Sequence, residues 1–330
     1  MEKRKRVVLI LILGLLSALG PFSIDMYLPG FPAIANALNT SVDSISYSLA
    51  SFFIGVCFGQ LLCGPLLDRF GRKIPICIGL VIYIAASAGC AFSHSIVALV
   101  AFRFFQALGG SVGMVAPRAI VRDSFKVEES AKIYSLLILI LGVSPILAPT
   151  VGSYIIAGLG WNYVFLALAI LAAIMLISVF YKLHESWKPD PSFSLRPIPI
   201  LKTYLLVLKN PSYYTYALAG GISSAGLFAY LSGSPFVFMK YYSLNEQQFS
   251  KIFALIAIGL IGFSQLNNLF LRKYTSKQLM QSVLIFQSVI GLILVTGSVL
   301  NILGLYGTIF LISDQLISEE FKLLPICKRW

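Results

Sequence analysis

The sequence predicts an all-helical membrane protein of about nine to ten transmembrane helices, laid out as a six-helix lobe, a linker and a second lobe. Three observations carry this expectation. Hydrophobic residues make up 58% of the 330 and charged residues only 12%, with a mean hydropathy of +0.87. Soluble domains are nearer a quarter charged, so a water-soluble enzyme is excluded, as are disordered, collagen-like and disulfide-scaffold chains. Apolar runs of about 20 residues, the length that crosses a bilayer core, recur along the chain. The cations are also divided unequally between alternate loops.

The runs lie at 7–29, 46–67, 74–92, 96–117, 132–157 and 161–181, then at 211–232, 246–270 and 279–300. A tenth, 302–312, is short and covers about half the core at about 1.5 Å per residue. The first run is too long for a signal peptide and lacks a small-residue cleavage site. The alternating segments of a β-barrel are absent. Nineteen Lys and Arg fall before the first span or in alternate loops on the same side, against two, Lys240 and Lys251, on the other. The positive-inside rule then places the N-terminus and the long central loop of a multi-pass protein in the cytoplasm. The net charge of +12 is thus a topology signal, and nucleic acid is not expected as a partner. The lipid bilayer is.

Composition breaks once, at 182–210. That stretch holds Pro189, Pro191, Pro197 and Pro199 with most of the mid-chain charge, and reads as a semi-rigid cytoplasmic linker. The expected organisation is an N-terminal lobe at 1–181, the linker, a partial second lobe at 211–312 and an atypical tail at 313–330. The five cysteines have no metal-ligand spacing, four of them lie inside apolar runs, and no metal or cofactor is expected.

After the second span comes Gly64-Pro65-Leu66-Leu67-Asp68-Arg69-Phe70-Gly71-Arg72-Lys73. Gly64 is expected to allow close helix packing and Gly71 a tight turn. Asp68 among three cations can form ion pairs that break and re-form with conformation. An ordinary positive-inside loop explains the cations but not this order. On the fourth span lies Arg103-Phe104-Phe105-Gln106-Ala107-Leu108-Gly109-Gly110. On the fifth, Gly142, Pro145, Pro149 and Gly152 punctuate the helix. Proline removes a helix hydrogen bond and glycine admits a neighbour, so this span can kink and pack closely. A routine kinked membrane helix is the alternative.

The first stretch resembles the G-x-x-x-D-R-x-G-R-K signature loop of the major facilitator superfamily. The resemblance implies the major-facilitator fold and a gating role for Asp68, Arg69 and Arg72 in locking the two lobes outward-facing. The second stretch resembles the R-x-x-Q-G-type motif of drug-exporting members, and the third the Gly/Pro motif of drug/proton antiporters. Phe22-Ser23-Ile24-Asp25-Met26-Tyr27-Leu28-Pro29 and Phe228-Ala229-Tyr230-Leu231-Ser232-Gly233-Ser234-Pro235-Phe236 are similar to the Bcr/CflA group. The resemblance covers residues 1–312. It implies multidrug efflux by proton antiport, with small-molecule drugs and protons as partners, antibiotic resistance as outcome and a monomer as working unit. No enzyme is expected, because no His, Asp or Ser constellation is present.

Ionisable groups inside a bilayer are costly and mark function. Two stand out, Asp25 and Arg103. Asp25 lies about 27 Å along the first span from Val7, and Arg103 about 11 Å along the fourth from Ile96. Both fall in the outer half of the core and are expected to meet across the lobe interior, with Gln106 one turn from Arg103 on the same face. Burial favours a neutral carboxyl and a nearby guanidinium an ionised one, so drug or proton entry tips the balance and Asp25 releases its proton as substrate binds. Arg103 stays charged throughout. A static pair that only fixes packing is the alternative. Tyr27, Phe228, Tyr230 and Phe236 are candidate cavity aromatics for flat apolar drugs. Gln60, Gln265, Asn267 and Asn268 are read as helix glue.

After Ile312 the chain departs from the family pattern, with Asp314, Glu319 and Glu320 interrupting the apolar run. A C-terminally truncated product is the expectation. A non-transporting membrane remnant therefore stands as the alternative to an exporter, and the chain is expected to export poorly or not at all.

Overall fold

The structure is a computed structural model that describes residues 3–190, 195–273, 276–300, 302–313 and 316. The side chains of Gln265, Asn267 and Asn268 lie outside the described residues, as does the tail apart from Ser313 and Leu316. The chain divides into two compact units. The first runs to Lys202 and includes Asn245–Ser250; the second comprises Thr203–Leu244 and the chain from Lys251 on.

In the first unit, α1 (Lys3–Asp25) leads through a 3-10 turn (Leu28–Gly30) into α2 (Phe31–Ala37), so the first predicted run becomes a broken rod reaching Ala37. Next comes α3 (Val42–Phe70), whose first turn is capped by Ser41 Oγ accepting from Ser44 N at 3.1 Å. The predicted fourth span is two helices, α5 (Ile96–Gly110) and α6 (Val112–Ser124), meeting at Ser111; Ser95 caps the start of α5. The remaining elements are α4 (Lys73–Ala91), α7 (Val127–Gly158) and α8 (Asn162–Lys182). Six segments are long and apolar enough to cross a membrane among the described residues: Arg6–Ala37, Val42–Phe70, Lys73–Ala91, Ile96–Ser124, Lys132–Gly158 and Asn162–Lys182.

α3 packs along α5, α4 lies against both α5 and α8, and α1 sits against α7. Their shared core holds Leu13, Leu16, Leu19, Phe52, Tyr83, Ala107 and Phe165. Lipid is as apolar as leucine, so close packing and buried polar contacts hold such a bundle together, rather than exclusion of water. Close approach is visible at Gly152, where a Cβ would collide with the Met26 carbonyl. Gly64 differs from the expectation of close packing: among the described residues a Cβ there would meet no heavy atom within 4 Å.

The second unit contains α10 (Pro211–Pro235), which runs into a π-helical turn (Phe236–Tyr241), most of α11 (Glu246–Lys273), and α12 (Ser276–Val299). Residues 305–313 are also helical. Inside the stretch expected to be linker, Pro197–Leu208 forms a further helix, α9. Pro197 and Pro199 occupy its first turn, where the backbone N–H groups have no helical acceptor to lose.

Candidate functional site

The interior of the first unit is organised around Arg103. Its side chain is 0% exposed, in the middle of α5. Nη1 donates to the Ser23 carbonyl at 3.0 Å and to Gln106 Oε1 at 2.7 Å. α1 ends two residues after Ser23, so that carbonyl is among the last four of the helix and lacks the usual intrahelical donor. The negative end of the α1 dipole thus faces the guanidinium. Three aromatic rings complete the cage: Phe52 with its centroid 4.2 Å from the guanidinium carbon, Tyr27 at 4.6 Å and Phe165 at 5.8 Å. Desolvated cation–π contacts are each worth about 2 kcal/mol.

A chain of hydroxyls steadies this arrangement. Gln106 Nε2 donates to Ser87 Oγ at 2.8 Å, and Ser23 Oγ and Tyr83 Oη are 2.6 Å apart. Tyr27 Oη is hydrogen-bonded to Ser48 Oγ at 2.6 Å, which fixes its ring beside Arg103. Even so, Nε and Nη2 of Arg103 have no hydrogen-bond partner among the described residues.

Asp25, the last residue of α1, is 4% exposed. The expected meeting with Arg103 is not an ion pair in this structure: among the described residues neither Asp25 nor Arg103 has an oppositely charged partner within 4 Å. The reason is local. The carbonyl of Ser23 takes Nη1, while Asp25 lies two residues on, at the point where α1 ends and the chain turns toward Leu28–Gly30. The structure brings Arg103 and Gln106 together as expected, and Asp25 lies in the same unit as both.

The signature loop joins α3 to α4 and centres on a second buried cation. Arg72 is 1% exposed; Nε donates to Asp123 Oδ2 at 2.8 Å and Nη1 to Asp68 Oδ1 at 2.9 Å. Burial lowers the pKa of Arg72, and hydrogen bonds to Asp123 and Asp68 more than offset this, leaving it above the ordinary arginine value. The Asp123 side chain is 4% exposed, whereas the Asp68 side chain is 47% exposed. Arg69 lies over the Phe70 ring and Lys73 over Phe180.

Two further partners come from beyond α8. The Glu185 carboxylate accepts from Arg72 N at 2.7 Å and Lys73 N at 3.1 Å, capping the first turn of α4. The Trp187 ring lies 5.1 Å from the Arg72 guanidinium. Gly71 makes this possible twice over: its φ of 80° is in the left-handed region, and a Cβ would come within 2.7 Å of Glu185 Oε2.

The α7 motif spans Gly142 to Gly152, with Pro145 and Pro149 inside the helix. Ser250 donates to the Pro149 carbonyl at 2.9 Å. Tyr27 belongs to the core of the first unit, beside Arg103. In the second unit Phe228 is exposed and Phe236 lies under Lys240. Tyr230 stacks on Phe253 and lines a cavity of about 240 Å³ with Gly226, Ser234, Val237 and Leu294. Among the described residues no three His, Cys, Asp or Glu side chains come together as metal ligands.

Residues 13–315 match the model of the Major Facilitator Superfamily. The chain belongs to the major facilitator superfamily. It is 37% identical over 263 residues to the "Uncharacterized MFS-type transporter YdgK" of Bacillus subtilis, covering 79% of this chain and 65% of the relative. It is 30% identical to the bicyclomycin resistance protein homolog of Haemophilus influenzae, over 91% of this chain and 76% of that protein. With the chloramphenicol resistance protein of Pseudomonas aeruginosa it shares 31% identity, over 76% of this chain and 59% of the relative. The chain thus spans from about three fifths to three quarters of the length of these relatives. Among solved structures, the partially occluded, inward-open xylose transporter XylE of E. coli superposes with a TM-score of 0.72 at 16% identity, covering 96% of this chain and 86% of that one. These matches place the chain in a transporter family with antibiotic- and multidrug-resistance relatives, not among enzymes.

Sequence reasoning missed Asp123, Glu185 and Trp187 at the loop, and Ser23, Ser87, Tyr83, Phe52 and Phe165 around Arg103. An acidic residue just after a predicted span, as at Glu185, was the one available signal.

Proposed function

We propose that the chain works as a multidrug exporter of the Bcr/CflA type, moving small-molecule drugs out of the cell in exchange for protons across the bacterial inner membrane. The observation that carries this reading is the state of Arg103. A fully buried cation is held by rings, one amide and one carbonyl, with two nitrogens open and no carboxylate on it. A buried charge with open donors is a strong attractor for an anion, and Asp25 is a buried carboxyl of the same unit without an ion pair.

In the proposed cycle, ionised Asp25 swings to Nε and Nη2 of Arg103, and protonated Asp25 lets go. Drug entry releases the proton; a proton from outside resets the site. Gln106 and the Ser23 carbonyl position the guanidinium so that these two nitrogens stay available. The Asp68–Arg72–Asp123 cluster, with Arg69, Lys73 and Gly71, acts as the gating loop. The α7 residues Gly142, Pro145, Pro149 and Gly152 supply the kink that seals the outer side. In this reading the N-terminus and residues 182–210 are cytoplasmic, the second unit adds three or four spans to the first six, and the working unit is a monomer.

The test is drug flux in everted membrane vesicles from a pump-deficient host, with bicyclomycin and chloramphenicol as first probes. Accumulation that collapses when an uncoupler dissipates the proton gradient is expected. Gradient-independent accumulation, or none across a broad drug panel, overturns the reading. A reporter fused after residue 190 should be active only in its cytoplasmic form.

A further inference from the structure

We propose that α9 is an interfacial helix, lying in the headgroup layer of one leaflet and binding anionic lipid. None of its 12 residues is buried. Ile198, Leu201, Leu205 and Leu208 recur at helical spacing along one side, with Ile200, Tyr204 and Val207 widening the same arc to half the circumference; Leu206 lies in the other half, one turn from Lys202. Exposure reaches 59% at Leu201 and 55% at Leu208. At about 18 Å the helix is too short to cross a core of about 30 Å. Residues 183–196 join it to α8, an apolar span, and only Lys209 and Asn210 separate it from α10, so it is tethered at both ends beside helices read as spans.

Charge selects the occupant. Lys202 and Lys209 are seven residues apart, which puts them on the same side of the helix, about 10 Å apart and flanking the apolar arc. Both are exposed, and neither has an ion-pair partner among the described residues. Lysines in this position lay their stems on apolar surface and carry the ammonium to the phosphate level. Near an anionic surface each basic residue gives about a five-fold preference over a neutral one. The proposal needs α9 at a membrane surface but not drug transport, so it stands or falls separately from the exporter reading.

Leu205→Trp in the full chain, reconstituted in vesicles containing phosphatidylglycerol and a brominated lipid, tests it, with the native chain subtracted as baseline. Ile174→Trp on the exposed face of α8 serves as a control for insertion. The expected result is quenching at both positions, with quenching at 205 falling several-fold in a K202E/K209E background or in purely zwitterionic vesicles, while that at 174 is unchanged. Quenching at 174 with red-shifted, unquenched emission at 205 puts α9 in water and overturns the proposal. Blue-shifted, unquenched emission at 205 puts it against protein, such as a second copy, and overturns it equally. Quenching at 205 that ignores lipid charge overturns the anionic-lipid assignment.

Discussion

Arg72 and Arg103 are both buried guanidiniums in the same unit, yet their partners differ in charge. Arg72 has two carboxylates, an aromatic ring and a capped helix start around it, with Nη2 alone left without a hydrogen-bond partner among the described residues. Arg103 has three rings, a carbonyl and an amide, and two nitrogens left open. The first charge is neutralised, so its contribution is to hold the loop together. The second is confined but not neutralised, so its position favours whatever anion arrives. Burial alone does not distinguish a structural cation from a working one; the partners do.

Replacement of each arginine by a residue of similar volume separates the two roles. Arg72→Met strands the buried Asp123 carboxylate, and removing one partner of a buried pair costs about 3–5 kcal/mol. A large fall in the thermal midpoint in detergent should follow; a change below about 1 kcal/mol would mean that water already solvates this cluster. Gly71→Ala is next, at about 1–3 kcal/mol for a strained left-handed residue, with displacement of Glu185 in addition. Glu185→Gln keeps the shape and loses the charge at the α4 start, costing about 1 kcal/mol. Its clearest readout is faster amide exchange at Arg72 and Lys73; unchanged protection there would show that the cap is idle. The smallest effect on stability belongs to Arg103→Met. Replacing an unneutralised buried cation by an apolar side chain should leave the midpoint within about 1 kcal/mol, or raise it, while gradient-driven export disappears. A midpoint that falls as far as for Arg72→Met would make Arg103 a structural cation like the other.

The two cations were not equally legible in the sequence. Apolar runs announced four of the six spans of the first unit to within about five residues, because hydropathy is a local property; the first and fourth run on to Ala37 and Ser124, past the expected ends at 29 and 117. Asp68 and Arg72 were visible as partners because they sit four apart in one loop. Asp123 and Glu185, separated from Arg72 by 51 and 113 residues, are ordinary loop acids until the bundle assembles. Arg103 was marked by its depth and Gln106 by its spacing from it, but the other partners are three aromatic rings and a helix-end carbonyl, which have no sequence pattern. The break at Ser111 and helix α9 were missed for a different reason. Proline was read as linker stiffness in 182–210, when Pro197 and Pro199 are helix starters. The same kind of inference failed at Gly64, whose small size meets no close neighbour.

The central claim is that Asp25 is the proton carrier that Arg103 awaits. Asp25→Asn has nearly the same shape, and removing the charge lowers the cost of inserting the first span, so lost activity could not be blamed on failed insertion. The decisive measurement is proton release on drug addition to purified protein in weakly buffered solution, with drug binding followed in parallel. The account predicts that the native chain releases protons as drug binds, and that Asp25→Asn binds drug but releases none. Undiminished proton release from Asp25→Asn would contradict it.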